Sequence, residues 1–175
     1  MAKDLGIRES GEDDLAAIEA LYPRAFPEED LLPIVRDLLN DPGVALSFVA
    51  TTGRRVSGHV IFTRCRVGAS FANAALLGPL AVAPEWQGQG IGTALVRAGI
   101  RQLKAANVNH VYVLGDPAYY SRLGFIPEPS VEPPYPLPAE WDGAWQSQAL
   151  GESETTFAGT LSVPDPWMRR TLWAP

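Results

Sequence analysis

The sequence predicts a protein of the α/β or α+β class, built on a mixed β-sheet. Between residues 45 and 83, apolar segments alternate with short connections, which is typical of antiparallel neighbours. A strand, a glycine-rich turn, an amphipathic helix and another strand then follow, and this order makes a right-handed βαβ unit with parallel strands. With 175 residues, of which 46% are hydrophobic, we expect a single domain over residues 1–175 with a sizeable core.

The first half of the chain alternates strands and helices. "LGIRES" predicts a strand, and "DDLAAIEALYPRAF" and "EEDLLPIVRDLL" predict two helical segments, the second with apolar residues at helical spacing. Three strands follow, in "ALSFVAT", "VSGHVIFTRCRV" and "AALLGPLAVAP". Pro79 in the third of these has no amide to donate to a sheet ladder, so we expect that strand to bulge or splay there.

The second half begins with a helix from about Ile91 to Ala106, with apolar residues on one side and basic residues on the other. "HVYVLGD" predicts a strand, and "PAYYSRLGF" a short helix with Pro117 in its first turn and Gly124 at its end. Residues 127–138 form a proline-rich connection. Finally, "AWQSQAL" and "TTFAGTLSV" flank "GESE" and predict a closing hairpin over about residues 144–163.

Composition and charge exclude several classes of function. The formal net charge is -6 and no lysine or arginine cluster occurs, which argues against a nucleic-acid partner. No apolar stretch is long enough for a membrane span, and the start of the chain lacks the apolar region of a signal peptide. With a single cysteine, Cys65, we expect a reducing compartment and hence the cytoplasm. His59 and His110 do not form a metal-ligand pattern, so no metal is expected.

The segment "PEWQGQGIGTALV", residues 84–96, places three glycines directly before the long helix. Either they allow a phosphate to approach the unpaired amides of a helix N-terminus, or they only supply the positive φ angles of a turn. We favour the phosphate site. The dinucleotide motif G-x-G-x-x-G and the nucleotide loop G-x-x-x-x-G-K-[ST] both fail here. What remains is Q-x-x-G-x-G, formed by Gln87, Gly90 and Gly92.

Gln87, Gly90 and Gly92, following the strand end "LAVAP", resemble the acetyl-coenzyme A (acetyl-CoA) site of the GNAT (GCN5-related) N-acetyltransferase superfamily. The segment "YYSRLGF", Tyr119 to Phe125, resembles the Tyr-x-x-x-Gly-Phe signature of the same superfamily. The two segments together are similar to its YhbS-like subgroup of predicted acetyltransferases. The resemblance covers about residues 5–127, which it implies are the core of the domain. It also implies a GNAT-like fold: a mixed, mostly antiparallel sheet of about seven strands, splayed between the fourth and fifth strands, with about four helices.

The resemblance also implies which residues bind acetyl-CoA. The main-chain amides from Gln87 or Gly88 to Thr93 are expected to hold the pyrophosphate, and the end of the preceding strand is expected to hold the pantetheine arm. Tyr120 corresponds to the general acid of the family and is expected to contact the cofactor too. The full set of expected cofactor residues is Leu80, Ala81, Val82, Gln87, Gly88, Gln89, Gly90, Ile91, Gly92, Thr93 and Tyr120.

The implied reaction is direct transfer of an acetyl group from acetyl-CoA to a primary amine of a small molecule or peptide. The reference pKa of tyrosine, near 10, exceeds that of an alkyl thiol, about 8.5. Tyr120 is therefore expected to hydrogen-bond the developing thiolate unless the site lowers its pKa. Glu28, Glu29 and Asp116 are candidates for binding the acceptor, although dipole compensation and a helix N-cap, respectively, are the simpler roles.

Two matters stay open at this point. A non-catalytic module that binds or senses acyl-CoA would carry the same cofactor motif, and it is the alternative to an enzyme. The sequence also assigns no general base, and it leaves a homodimer open.

Overall fold

The structure is a computed structural model that describes residues 4–68, 73–151 and 157–174. Four α-helices occur in these ranges: α1 (Leu15–Ala25), α2 (Leu32–Leu39), α3 (Ile91–Ala105) and α4 (Pro117–Tyr120). The strands of the same ranges are β1 (Leu5–Glu9), β2 (Ala45–Thr52), β3 (Arg55–Val67), β4 (Ala74–Val82), β5 (His110–Leu114), β6 (Ile126–Pro127), β7 (Val131–Glu132), β8 (Trp145–Ala149) and β9 (Gly159–Ser162). None of the described helices is long and apolar enough to cross a membrane.

The strands form an open, mixed sheet in the order β1-β2-β3-β4-β5-β8-β6, while β9 pairs with β3 and β7. Strands β1 and β2, β5 and β8, and β6 and β8 are antiparallel, whereas β4 and β5 are parallel. The predicted fold class, a mixed sheet with four helices, is confirmed. The main path has the seven strands expected, and the short strands β7 and β9 are additional.

The chain divides into two compact units, and strands β3 and β4 contribute residues to both. The first unit contains Met1–Phe62 and Gly78–Arg101, and the second contains Thr63–Leu77 and Gln102–Pro175. The sequence-based expectation of one domain stays a prediction.

In the first unit, helix α3 lies against strand β3 through two glycines. A Cβ added at Gly99 would lie 2.0 Å from Cε2 of the Phe62 ring, and one added at Gly58 would lie 2.9 Å from Cδ1 of Leu95. Ile91, Leu95 and Gly99 lie on the buried side of the helix, and Arg97 is exposed, as the amphipathic pattern predicted. The absence of these two side chains therefore fixes how closely the helix approaches the strand.

Strand β4 changes its pairing at Gly78 and Pro79. Its ladder with β5 runs from Ala74↔His110 to Leu77↔Val113 and ends there, although β4 itself continues to Val82. Gly78 has a φ of +141°, which favours glycine, and Pro79 lacks an amide hydrogen. The interruption predicted from Pro79 is therefore present, between the fourth and fifth strands.

In the second unit, the predicted C-terminal hairpin is wrong. Strand β8 pairs with β5 and β6, whereas β9 pairs with β3 and β7. The segments do form strands near the predicted positions, but alternating hydrophobicity identifies a half-buried strand without identifying its partner. Residues 152–156, which include most of the predicted "GESE" turn, lie outside the described residues.

We predict that Gly99→Ala lowers the free energy of unfolding by about 1–3 kcal/mol, because the new methyl group collides with the buried Phe62 ring. Chemical denaturation of the single variants and of Gly99→Ala/Phe62→Leu measures the effect. The leucine relieves the collision, so the double variant should lose less stability than the sum of the two single losses. Strict additivity would contradict the packing described here.

Candidate functional site

The glycine turn before α3 uses left-handed backbone at two positions. Gly88 has a φ of +75° and Gly90 a φ of +83°, whereas Gly92 already belongs to the helix. A Cβ added at Gly88 or Gly90 would meet no atom within 4 Å. Both glycines are thus required for the conformation of the turn, and the space beside them is open on the side where a side chain would point.

The main-chain amides of residues 88–93 form a consecutive set of free hydrogen-bond donors. None of the six has a hydrogen-bond acceptor among the described residues, and the first helical bond runs from the Ala94 amide to the Gly90 carbonyl at 3.0 Å. The N-terminus of a helix also carries the positive end of the helix dipole. Several unpaired amides beside open space can bind an anion such as a pyrophosphate.

Gln87 and Gln89 hold the turn rather than simply flanking it. The Gln87 side chain donates to the Val82 carbonyl at 3.1 Å, and the Gln89 side chain donates to the Glu85 carbonyl at 3.4 Å. The Gln87 amide makes a long bond of 3.4 Å to the Pro84 carbonyl. The run of free amides therefore begins at Gly88.

At the end of strand β4, one edge of the strand is hydrogen-bonded to β3, and the other edge points away from β3. The Ala83 amide donates to the Ser57 carbonyl of β3 at 2.9 Å. The main-chain N–H and C=O groups of successive strand residues point to alternate sides. Those of Ala81 therefore also point towards β3, while those of Leu80 and Val82 point away from it. Of the three residues predicted to hold the pantetheine arm, Leu80 and Val82 therefore offer the available edge, and the Val82 carbonyl already accepts the bond from Gln87.

The connection between α1 and α2 surrounds an acidic cavity in the first unit. The cavity has a volume of about 310 Å³ and is lined by residues of this connection, including Glu28, Glu29 and Asp30. All three side chains are exposed.

An exposed ion pair connects α1 to the glycine turn. Arg24, in the last turn of α1, pairs with Glu85 in the turn that precedes the free amides. The pair joins the start of this connection to the segment that carries the anion site, although exposed pairs contribute little stability.

Tyr22, His59 and Ser47 form a buried hydrogen-bonded chain next to this connection. The Tyr22 hydroxyl lies 2.7 Å from Nδ1 of His59, and Nε2 of His59 lies 2.7 Å from the Ser47 hydroxyl. Burial lowers the pKa of His59 to about 3, so its ring is neutral near pH 7. No sequence signal identified this chain, because residues 22 and 59 belong to different elements and neither lies in a motif.

Tyr120 is in the second unit, one turn after the C-terminal end of β5. It is buried, and its ring packs edge-on against Phe125 at 5.6 Å between centroids. A Cβ added at Gly115 would lie 2.4 Å from Cε2 of the Tyr120 ring, so the glycine leaves room for this ring. Burial, with a smaller contribution from Tyr119, raises the pKa of Tyr120 well above its usual range. The site does not lower this pKa.

Asp116 caps the short helix α4. Its carboxylate accepts a hydrogen bond from the Ala118 amide at 2.9 Å, which is the N-cap role that the sequence favoured. Tyr119 packs edge-on against Tyr120 at 4.9 Å between centroids.

The predicted site residues are divided between the two units. Residues 80–93 and the Glu28–Glu29 pair belong to the first unit, while Tyr120 and Asp116 belong to the second. The roles assigned to all of them stay predictions.

Comparisons with known proteins agree with this fold. The family model described as "Acetyltransferase (GNAT) family" matches residues 14–125. The uncharacterized N-acetyltransferase YjhQ of Escherichia coli K12 is 35% identical over 160 residues, which cover 87% of this chain and 88% of YjhQ. The uncharacterized N-acetyltransferase YhbS of the same strain is 36% identical over 113 residues, which cover 64% of this chain and 68% of YhbS.

Two crystal structures with bound cofactor resemble this chain throughout its length. The YhbS structure from Escherichia coli, in complex with CoA, has a TM-score of 0.87 and 30% identity, and the match covers 97% of this chain and 94% of YhbS. A GNAT family acetyltransferase from Brucella melitensis, in complex with acetyl-CoA, has a TM-score of 0.75 and 28% identity, with coverages of 93% and 97%.

We predict that His59 makes the protein less stable as the pH falls below about 6.5. The pKa of His59 is about 3 in the folded protein and near 6.5 in the unfolded chain, so between these values the unfolded chain binds the additional proton. The free energy of unfolding should fall by about 1.4 kcal/mol per pH unit from this group.

Denaturation at pH 6.5, 5.75 and 5.0 measures the slope, since most carboxylates remain ionised in this range. In His59→Gln the free energy of unfolding should depend markedly less on pH. In His110→Gln the reduction of this slope should be smaller, because His110 is only half-buried. An unchanged slope in His59→Gln would contradict the assignment.

Proposed function

This chain belongs to the acetyltransferase (GNAT) family, and from this premise we propose that it transfers an acetyl group to a primary amine of a small molecule or peptide. Its cofactor is acetyl-CoA, which supplies the acetyl group as an activated thioester. The observation that carries the proposal is the run of free amides from Gly88 to Thr93 beside open space, because this is the feature that a pyrophosphate requires.

Within the proposed cofactor site, each residue acts mainly through its backbone. The amides of Gly88, Gln89, Gly90, Ile91, Gly92 and Thr93 bind the pyrophosphate oxygens. Leu80 and Val82 offer main-chain groups to the pantetheine arm, and Ala81 supports them by pairing with β3. Gln87 contributes by fixing the turn to Val82. Such a site recognises the cofactor with few side chains, which explains why the glycines and Gln87 are the residues that identify it in the sequence.

The acidic cavity of the first unit is the proposed acceptor region. Glu28 and Glu29 are exposed carboxylates beside a volume of about 310 Å³, and they favour the approach of a cationic amine. The Tyr22 ring and the apolar residues of the α1–α2 connection provide contacts for the rest of the acceptor. Asp116 already caps a helix through its Oδ1, and its part in acceptor binding stays a prediction.

Tyr120 is proposed to donate a hydrogen bond to the sulfur of the leaving thiolate. Its raised pKa keeps the proton on the phenol, so stabilisation by hydrogen bonding is favoured over complete proton transfer. The Tyr120 ring lies close to Gly115 and packs edge-on against Phe125, and these contacts limit the positions that its hydroxyl can take.

We expect Tyr120→Phe to lower kcat at least tenfold with little change in the Kd for acetyl-CoA, because only the hydrogen bond to the thiolate is lost. Release of free thiol from acetyl-CoA in the presence of a panel of primary amines gives the rate. Tyr119→Phe is the matched control and should keep its activity. Unchanged turnover in Tyr120→Phe would remove this residue from the mechanism. Cofactor binding without turnover of any amine would instead favour the acyl-CoA-binding module.

The anion site is tested by Gly90→Ala, which strains a left-handed turn by about 1–2 kcal/mol. Gly53→Ala is the matched control, since Gly53 also has a left-handed φ, of +62°, and open space beside it. Calorimetry with CoA and with pantetheine, which lacks the pyrophosphate, measures the preference for CoA. We expect that preference to fall at least tenfold in Gly90→Ala and to persist in Gly53→Ala. Equal losses in the two variants would contradict the assignment.

A cytoplasmic location and a homodimer stay predictions of the sequence.

A further inference from the structure

The second unit contains a cavity that the proposed acetyl transfer does not use. It has a volume of about 350 Å³ and is open on one side. Its walls come from the first half of β5, from β8, and from the segment that joins β6 to β7. Ile126, Pro129 and Phe157 supply apolar surface, and the Phe157 ring packs edge-on against His110 at 4.8 Å between centroids.

Three polar atoms of the cavity wall are buried without a hydrogen-bond partner among the described residues. They are Nδ1 of His110, the hydroxyl of Tyr112 and Oε1 of Gln148. Tyr112 is completely buried. Buried polar side-chain atoms are usually hydrogen-bonded, so three such atoms around one cavity are unusual and indicate a missing partner. All three can accept a hydrogen bond, and the amide oxygen of Gln148 can only accept.

Glu128 supplies the negative charge of the cavity. Its Oε2 accepts hydrogen bonds from the main-chain amides of Ser130 and Val131, each at 2.7 Å. Its Oε1 accepts a hydrogen bond from the Ser147 hydroxyl at 2.7 Å. These bonds hold the carboxylate in place while leaving one acceptor direction on Oε1. No lysine or arginine is among the described residues that line the cavity. Burial lowers the pKa of His110, so this ring adds no positive charge near pH 7.

We propose that this cavity binds a small molecule that carries a primary ammonium group and an apolar body. An ammonium has three N–H donors and no acceptor, which matches a wall of unpaired acceptors and one fixed carboxylate. A carboxylate ligand would be repelled by Glu128, and a hydroxyl would carry no charge to pair with it. The apolar body lies against Phe157 and Pro129. The proposal is independent of acetyl transfer, since it concerns binding alone.

Three probes of similar size test the chemistry in the absence of acetyl-CoA: 2-phenylethylamine, 2-phenylethanol and phenylacetate. Calorimetry at pH 7.5 should give an affinity for the amine at least tenfold above that for the alcohol, and the weakest binding for the carboxylate. The indole N–H of Trp145 gives a local signal by NMR, because it donates to the Val131 carbonyl beside the Glu128 loop. Equal affinities for the three probes, or no binding of the amine at 10 mM, would overturn the proposal.

Variants locate the binding within the chain. Tyr112→Phe should weaken amine binding at least fivefold without lowering the melting temperature, because the hydroxyl that it removes has no partner in the free protein. Glu128→Gln should also weaken binding at least fivefold. The control Glu140→Gln, which changes an exposed carboxylate of the second unit that does not line the cavity, should bind the amine as the wild type does. Loss of binding in this control alone, or unchanged affinity in Tyr112→Phe and Glu128→Gln, would overturn the proposal.

Discussion

The free amides from Gly88 to Thr93 are the constraint on which the first unit depends. They remain unpaired because the backbone turns left-handed at Gly88 and Gly90 and then enters α3, whose first amides have no partner within the helix. The direction in which they point is set by the helix, and the helix is held close to β3 by the missing side chains of Gly58 and Gly99. A site made of main-chain donors thus obtains its geometry from packing further along the same helix.

Two buried tyrosines of this chain have opposite environments. The Tyr22 hydroxyl is paired with His59, which in turn contacts Ser47, so this polar chain is satisfied inside the first unit. The Tyr112 hydroxyl in the second unit is equally buried and has no partner among the described residues. A satisfied polar chain stabilises a fold, whereas an unsatisfied buried hydroxyl costs stability unless something else supplies its bond. The contrast separates a structural network from a candidate binding wall.

The fold was largely predictable from the sequence because its signals are local. Pro79 correctly predicted where β4 leaves its ladder with β5, since the missing amide acts at its own position. The partners of β8 and β9 were not predictable, because hydrophobic alternation contains no information about distant pairing. The His59 network and the cavity around Tyr112 were missed for the same reason: each combines residues from separate elements that no motif connects.

The position of β8 inside the sheet has a consequence for synthesis on the ribosome. Strand β5 emerges well before β8, and the whole stretch from Gly115 to Ala144 must be translated before one of its edges can be covered. At ribosomal speeds this delay is on the order of seconds. During that time the nascent chain carries an apolar strand with an open edge, which is a recognised route to aggregation.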